Sequence, residues 1–150
     1  MQAEQQHNNQ QRKNTSSSEY MTFILGQMKY AIELPKIREI LTYPEIITPL
    51  PNTAGWVKGL INLRGEVVPI LDIRIKFKTG EIVYNENTAV IAVITSDDRM
   101  IGIVVDKVDD VQRIDIDTLS PVSDMGSAIP SKYLKGFIRL EDNQMLVMMD

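Results

Sequence analysis

The side chains that could do acid–base chemistry in this sequence are mainly aspartates in turn-like or rim positions. Adjacent carboxylates on a strand point to opposite faces, so neighbouring pairs are badly placed to share a proton. Charge runs of this kind usually form a solvated face. An enzyme that relied on Asp and Lys alone would need a pocket that strongly shifts the carboxylate pKa. We therefore predict that the protein is not an enzyme. The residues concerned are Asp97, Asp98, Asp109, Asp110, Asp115 and Asp117.

The sequence has few of the residues that nucleophilic catalysis and metal binding usually need. The sequence has no Cys, and its one His, His7, lies in a Gln-, Asn- and Ser-rich N-terminal segment. Ser-His-Asp, Cys-His and histidine–metal sites are therefore not expected in the folded region. The phosphate-binding motifs G-x-x-x-x-G-K-[ST] and G-x-G-x-x-G are also missing. We expect no cofactor and no metal.

The charge of the chain limits its partners. The formal net charge is −4 and the isoelectric point is about 5.0. No basic field is available to hold phosphate backbones, so nucleic acid is not expected as a partner. No apolar run has the length needed to span a bilayer, and the N-terminus has no apolar core of a secretory signal. These features predict a cytoplasmic protein without direct membrane insertion.

Arg64 is the charged residue whose setting is most distinctive. It lies with Gly65 and Glu66 between the apolar runs 60–63 and 67–71, a pattern typical of a β-hairpin. Gly65 can adopt the positive φ that such a turn often needs. Arg64 is then either a solvated turn residue, which is the rule for exposed arginine, or the partner of Glu39. Pairing would fix the guanidinium as a flat donor at a protein-binding face.

The elements that carry Arg64 occur twice in the sequence. Lys58-Gly59 recurs 77 residues later as Lys135-Gly136, and the segment 31–40 recurs 71 residues later as 102–111. Each half consists of a hairpin, a charged segment, a proline-containing connector and a second hairpin, with about five strands. Strands this short and numerous predict small closed β-barrels, which remove exposed sheet edges. Two such halves would pack about a pseudo-twofold with a shared apolar seam.

The predicted boundaries follow from composition. Residues 1–19 cannot offset their ordering entropy and should be a disordered tail. Residues 20–150 form the folded domain, with approximate halves 20–80 and 88–150. Within the second half, residues 88–95 are almost continuously apolar, so both faces of this strand should be covered. Because the sequence stops directly after a strand, we expect the natural chain to continue beyond Asp150.

Residues 20–150 resemble the CheW family of chemotaxis coupling proteins. The resemblance implies an all-β fold of two SH3-like, five-stranded barrels around a joint core, with few short helical turns and no catalysis. It also implies a C-terminal helix that this sequence does not encode. The residues that carry it are Tyr30-Ala31-Ile32, Ile37-Arg38-Glu39-Ile40, Ile61-Asn62-Leu63-Arg64-Gly65, Val68-Pro69-Ile70-Leu71-Asp72-Ile73-Arg74 and Gly102-Ile103-Val104-Val105-Asp106.

The resemblance further implies partners and contact residues. The family couples the cytoplasmic tips of chemoreceptors (methyl-accepting chemotaxis proteins) to the regulatory domain of the histidine kinase CheA, in membrane-associated arrays. By matching position, Glu39 and Arg64 correspond to the family's functional pair. Five further residues fall at or near partner contacts, and their assignment to receptor or kinase stays open. These are Ile37, Ile40, Ile46, Gly59 and Gly102.

A different class of function remains as the alternative. A small β-barrel can instead bind a small ligand or single-stranded nucleic acid, given a deep pocket or an aromatic stacking platform. The aromatic residues of this sequence are scattered and lack a stripe of basic neighbours. The adaptor interpretation is therefore preferred.

Overall fold

The computed structural model describes residues 17–115, 117, 119–121, 134–139 and 145–149. In these ranges strands predominate, and the helical segments are the α-helix α1 (Ile73–Phe77) and the 3-10 turn Leu34–Lys36. The strands are β1 (Ser17–Leu25), β2 (Met28–Glu33), β3 (Ile37–Thr42), β4 (Val57–Leu63), β5 (Glu66–Leu71), β6 (Ala89–Ile94), β7 (Met100–Val105), β8 (Lys107–Asp115), β9 (Ser120–Pro121), β10 (Leu134–Arg139) and β11 (Met145–Met149).

The described strands form two sheets. One has six strands in the order β8-β1-β2-β11-β10-β9, and the other has five in the order β3-β6-β7-β5-β4. The predicted all-β class with few short helical turns is confirmed. The predicted number of five strands is found in the second sheet. The first sheet has five strands and, in addition, the two-residue strand β9.

The internal repeat is visible in the strand order. If β3 is matched with β8, β6–β7 with β1–β2, and β4–β5 with β10–β11, the two sheets have the same order apart from β9. The parallel pairing of Ile70 with Gly102 in one sheet corresponds to that of Met148 with Ala31 in the other. Both repeats also shift register at the equivalent glycines, Gly59 and Gly136, at φ 140° and 156°.

The two halves exchange their first hairpins. Hairpin β1–β2 joins β8–β11 in the six-stranded sheet, and hairpin β6–β7 joins β3–β5 in the five-stranded sheet. The sequence halves 20–80 and 88–150 therefore do not coincide with the sheets, because the chain crosses over after β2, where Pro35 lies, and again at Asp106. Strand β1 begins at Ser17, inside the segment assigned to the tail; residues 1–16, with His7, lie outside the described part.

Three clusters of buried side chains explain this exchange. Ala31 and Met148 pack inside the six-stranded sheet, and Val90 and Val104 pack inside the five-stranded sheet. The largest cluster lies between the sheets and takes alternate residues of the same strands, such as Phe23, Tyr30, Ile91 and Ile103. The two faces of these strands therefore serve two cores, and the prediction that both faces of residues 88–95 are covered is confirmed for β6. The shared seam is also confirmed.

Candidate protein-binding sites

Arg64 lies at the tip of the β4–β5 hairpin. Leu63 pairs with Glu66, so Arg64 and Gly65 form a two-residue turn, with φ of 51° and 87°. Two positive φ values match the twist of a tight hairpin. The Gly65 N–H donates to Asn62 Oδ1 at 2.9 Å. For a non-glycine residue this left-handed conformation costs roughly 1–2 kcal/mol, so the turn holds Arg64 in a position that local preference alone would not choose.

Arg64 and Glu39 form an exposed ion pair. Arg64 Nη2 donates to Glu39 Oε1 at 3.3 Å, and the side chains are 82% and 26% exposed. Glu39 lies on β3 and Arg64 beside β4, the two outer strands of the five-stranded sheet, which therefore curls until its edges meet. An exposed pair of this kind is worth about 0–1 kcal/mol. Most of the guanidinium remains available to a partner.

Several apolar side chains are also exposed in this part of the protein. Ile40, on β3 next to Glu39, is 45% exposed, and Ile46, in the following connector, is 84% exposed. Val67, opposite Asn62 at the Arg64 hairpin, is 66% exposed. Ile37 is half-buried and packs against the shared core. Val67 could not be singled out from the sequence, because its apolar run does not show that β5 is buried on one face only.

The two predicted glycines lie inside the fold. Gly59 is buried at φ 140°, and a Cβ there would collide with the carbonyl oxygen of Thr48. Thr48 and Leu60 exchange two backbone hydrogen bonds of 2.9 and 2.8 Å at this point. A Cβ on buried Gly102 would come within 2.7 Å of Ile70 Cδ1. Gly59 thus permits the close approach of another backbone segment, Gly102 permits close packing of side chains, and neither presents a side chain to a partner.

An apolar groove of about 520 Å³ opens between α1 and strands β6 and β7. Ile32 of the six-stranded sheet contributes to it, as do Ile73 and Phe77 of α1. Trp56 and Lys76 also line it, with Lys76 Nζ 4.3 Å from the centre of the indole ring. The groove therefore combines an apolar floor with a cation.

Beside the groove lies a buried ionic network. The Arg74 guanidinium and the Asp72 carboxylate, both fully buried, meet through Nε–Oδ1 and Nη2–Oδ2 at 3.0 and 2.9 Å. Arg74 Nη1 donates to Asp106 Oδ1 at 2.8 Å and to the Val83 carbonyl oxygen at 2.9 Å. The Tyr84 hydroxyl donates to Asp72 Oδ2 at 3.0 Å. Buried charges are stable only when paired in this way.

The network keeps Arg74 charged. Burial alone would lower the pKa of its guanidinium, but hydrogen bonds from Arg74 to Asp72 and Asp106 outweigh burial and raise that pKa above its ordinary value. For the Tyr84 hydroxyl, burial raises the pKa, because it disfavours the charged phenolate, and the hydrogen bond to Asp72 raises this pKa further. The sequence pattern alone gave this network no role, although the Asp-x-Arg spacing at 72–74 is the signal that could have indicated it.

The described residues offer no metal site and no membrane-spanning helix. No group of three or more His, Cys, Asp or Glu side chains among them could hold a metal ion. No helix in this part of the chain is long and apolar enough to cross a membrane.

The fold defines the class: an all-β domain of two similar modules packed around a shared core. Residues 19–150 match the CheW-like domain, and the chain belongs to that family. It is 38% identical to the chemotaxis protein CheW of Klebsiella aerogenes over 91% of this chain and 80% of the relative. It is 30% identical to CheW of Rhizobium meliloti, over 82% of this chain and 78% of that protein.

The fold is also similar to a solved structure. The crystal structure of the scaffolding protein TtCheW from Thermoanaerobacter tengcongensis matches with a TM-score of 0.80 at 24% identity. The match covers 89% of this chain and 84% of that one. The two-module architecture is thus the known CheW fold.

Proposed function

We propose that the protein is a non-catalytic adaptor that couples transmembrane chemoreceptors to the histidine kinase CheA in bacterial chemotaxis. Membership of the CheW-like family and relatives named chemotaxis protein CheW support this role. The observation that carries it is the exposed Glu39–Arg64 pair, which adds little to stability and stands beside exposed Ile40. The protein acts in the cytoplasm and is recruited to receptor arrays at the membrane.

The regulatory domain of the kinase docks on the edge of the five-stranded sheet where Glu39 meets Arg64. A planar guanidinium already oriented by one carboxylate offers further donors to a partner's carboxylate or carbonyl oxygen. Exposed Ile40 and Ile46 supply apolar contact area. Gly59 and Gly102 support this surface from behind, since both are buried and each leaves room for a packing contact that a Cβ would block.

The receptor tip, a helical hairpin, lays an apolar face into the groove beside α1. Helix-in-groove recognition uses apolar side chains at i, i+3, i+4 and i+7, and the groove offers an apolar floor that includes Ile32 and Phe77. Half-buried Ile37 lies at the start of β3, close in sequence to Lys36, which also lines the groove. Contacts of this kind are modest in area and transient.

The test is capture of purified kinase regulatory domain and of a receptor tip by folded variants. Glu39→Ala and Arg64→Ala should lose the kinase domain and keep the receptor tip. The matched control is Arg113→Ala, which removes another exposed Arg–Glu contact, 4.0 Å from Glu19, and should keep both partners. Unchanged capture of both partners by Arg64→Ala would remove the ion pair from the interface.

A second candidate, a barrel that binds a small ligand or single-stranded nucleic acid, draws its support from Trp56 and Lys76 in the groove. Trp56 is the only tryptophan in the sequence, so its fluorescence reports on the groove directly. Titration with single-stranded DNA at low salt distinguishes the two. We expect no saturable response from an acidic adaptor, whereas a saturable one would favour the second candidate.

A further inference from the structure

Helix α1, which forms one wall of the groove, is too short to be stable alone. It has five residues, Ile73–Phe77, and isolated helices of this length do not persist in water. Its position must therefore come from tertiary contacts. Asp72 caps it by accepting from the Arg74 N–H at 3.1 Å, and Ile73 is buried in the shared core. Phe77 packs against the same core, and the side chain of Arg74 adds a polar anchor.

Arg74 ties α1 to the other sheet through Asp106. Asp106 Oδ1 accepts from Arg74 Nη1 at 2.8 Å, while Oδ2 accepts from the backbone N–H of Gly26 at 2.7 Å. Gly26 lies in the turn between β1 and β2, in the six-stranded sheet. The Asp106 N–H also donates to the Ile24 carbonyl oxygen at 3.0 Å. One carboxylate therefore links α1 of one module to a hairpin of the other.

A second contact at the same place makes the link tight. Gly26 adopts φ 62°, and a Cβ there would collide with the carbonyl oxygen of Thr79, the residue that follows α1 and its left-handed cap Lys78. The end of α1 thus packs directly on the β1–β2 turn. Ile73, Lys76 and Phe77 of α1 line the groove, so any shift of α1 relative to this turn changes the groove's width.

From these contacts we infer that the Arg74–Asp106–Gly26 bridge sets the position of α1 and thereby the shape of the groove. Arg74 and Asp106 are positioning residues: they shape the groove without lining it. The step from groove shape to receptor binding rests on the proposed function. The ligand that such a groove selects is an amphipathic helix whose apolar face fits the fixed width between α1 and β6–β7.

The test uses Asp106→Ala in the full chain. This change removes both bridge contacts and leaves the bidentate Asp72–Arg74 pair in place. The groove's own reporter is Trp56, whose ring meets Lys76 of α1. We expect acrylamide quenching of Trp56 to change at least twofold and the amide of Gly26 to lose protection from hydrogen exchange. Asp106→Asn, which retains one acceptor oxygen, should give an intermediate result and serves as the second variant if Asp106→Ala does not fold.

The matched control is Ile138→Val, a mild core truncation inside the six-stranded sheet, in a cluster that contains none of the bridge residues. It should lower thermal stability without altering Trp56 quenching. If Ile138→Val changed Trp56 quenching as much as Asp106→Ala does, loss of stability alone would explain the effect and the inference would be overturned. If neither Asp106 variant changed the quenching, the bridge would not set the position of α1, and the inference would fail as well.

Binding of a receptor-tip helical hairpin peptide adds the functional arm. We expect Asp106→Ala to weaken the affinity for this peptide about tenfold, while capture of the kinase domain stays unchanged. If the unaltered protein does not bind the peptide, the proposed receptor site fails, yet Trp56 quenching and Gly26 exchange still decide whether the bridge sets the groove. If quenching changes and peptide affinity does not, the bridge shapes the groove and the receptor contact lies elsewhere.

Discussion

Two arginines ten residues apart, Arg64 and Arg74, each pair with a carboxylate and differ in almost everything else. Arg64 meets Glu39 through one contact at 3.3 Å and is 82% exposed. Arg74 meets Asp72 through two contacts and Asp106 through a third, and its side chain is fully buried. The difference shows that breaking a buried ion pair costs the fold far more than breaking an exposed one, whose charged groups stay accessible to water.

A third pair falls between these extremes. Lys29 Nζ lies 2.9 Å from Asp109 Oδ2, with side chains 23% and 30% exposed. The Thr22 hydroxyl donates to the same carboxylate oxygen at 3.2 Å. These pairs therefore form a series in burial, and their effects on stability should follow that series.

The largest expected effect is that of Arg74→Met. The substitution leaves fully buried Asp72 without its cation, and breaking a buried pair typically costs 3–5 kcal/mol. We expect the free energy of unfolding, measured by urea denaturation, to fall by roughly this amount. The matched change Arg64→Met should cost less than about 1 kcal/mol. Equal losses for the two variants would break the distinction between buried and exposed pairs.

Gly59→Ala should have the next largest effect. Gly59 is buried at φ 140°, and a methyl group there would collide with the Thr48 carbonyl, at the bridge that joins the connector to β4. Strain and displacement of this kind cost about 1–3 kcal/mol. Thermal unfolding should show a lower midpoint. The control is Gly55→Ala, where nothing lies within 4 Å of the added carbon; a similar loss there would rule out the close approach as the cause.

The intermediate pair should appear in the pH dependence of stability. The hydrogen bond from Lys29 lowers the pKa of Asp109 from its ordinary value. A carboxylate whose folded pKa is depressed adds stability above its unfolded pKa, and this stability is lost as pH falls through the folded pKa. Asp109→Asn should therefore flatten the decline in the free energy of unfolding between about pH 5 and pH 2.

The neighbouring substitution Asp110→Asn is the control for this acid limb, because the Asp110 side chain forms no ion pair with Lys29. Denaturant midpoints measured over the pH series should separate the two variants. An acid limb that is equally steep in the Asp109→Asn protein and the unaltered protein would contradict the assignment.

The smallest effect on stability is expected for Arg64→Asn. The change removes the exposed ion pair but creates an Asn-Gly dipeptide, the preferred sequence for a turn with two positive φ values. We expect the free energy of unfolding to rise slightly, by no more than about 0.5 kcal/mol. Chemical denaturation checks this. A loss above about 1 kcal/mol would mean that the Glu39–Arg64 pair stabilises the fold.

Much of the fold could be predicted from local pattern. The hairpin at Arg64, the apolar strand β6 and the repeat of 31–40 at 102–111 all follow from residue type and spacing. The exchange of hairpins between the modules could not be predicted in this way. The pairing of Ile70 with Gly102, and of Met148 with Ala31, is a long-range contact that depends on packing in the shared core. The local pattern is the same whichever sheet a hairpin joins.

The candidate sites divide in the same way. Arg64 could be named in advance because its charge and turn position are visible in the sequence, the resemblance to the CheW family marked Glu39 and Arg64 as a pair, and their contact is now observed. Their role toward a partner stays a prediction. Arg74 and Asp106 were not named as a pair, because they lie 32 residues apart and meet only where two sheets cross. Burial, the property that separates Arg74 from Arg64, is set by tertiary packing.

The most direct measurement is kinase autophosphorylation in a mixture of receptor, kinase and this protein. With the unaltered chain, the account predicts that receptor ligand changes the rate of autophosphorylation, and that omission of the chain abolishes this control. Arg64→Asn protein, although folded and equally stable, should fail to restore control, whereas Arg113→Ala protein should restore it. Full receptor control with Arg64→Asn protein, or none with the unaltered chain, would contradict the account.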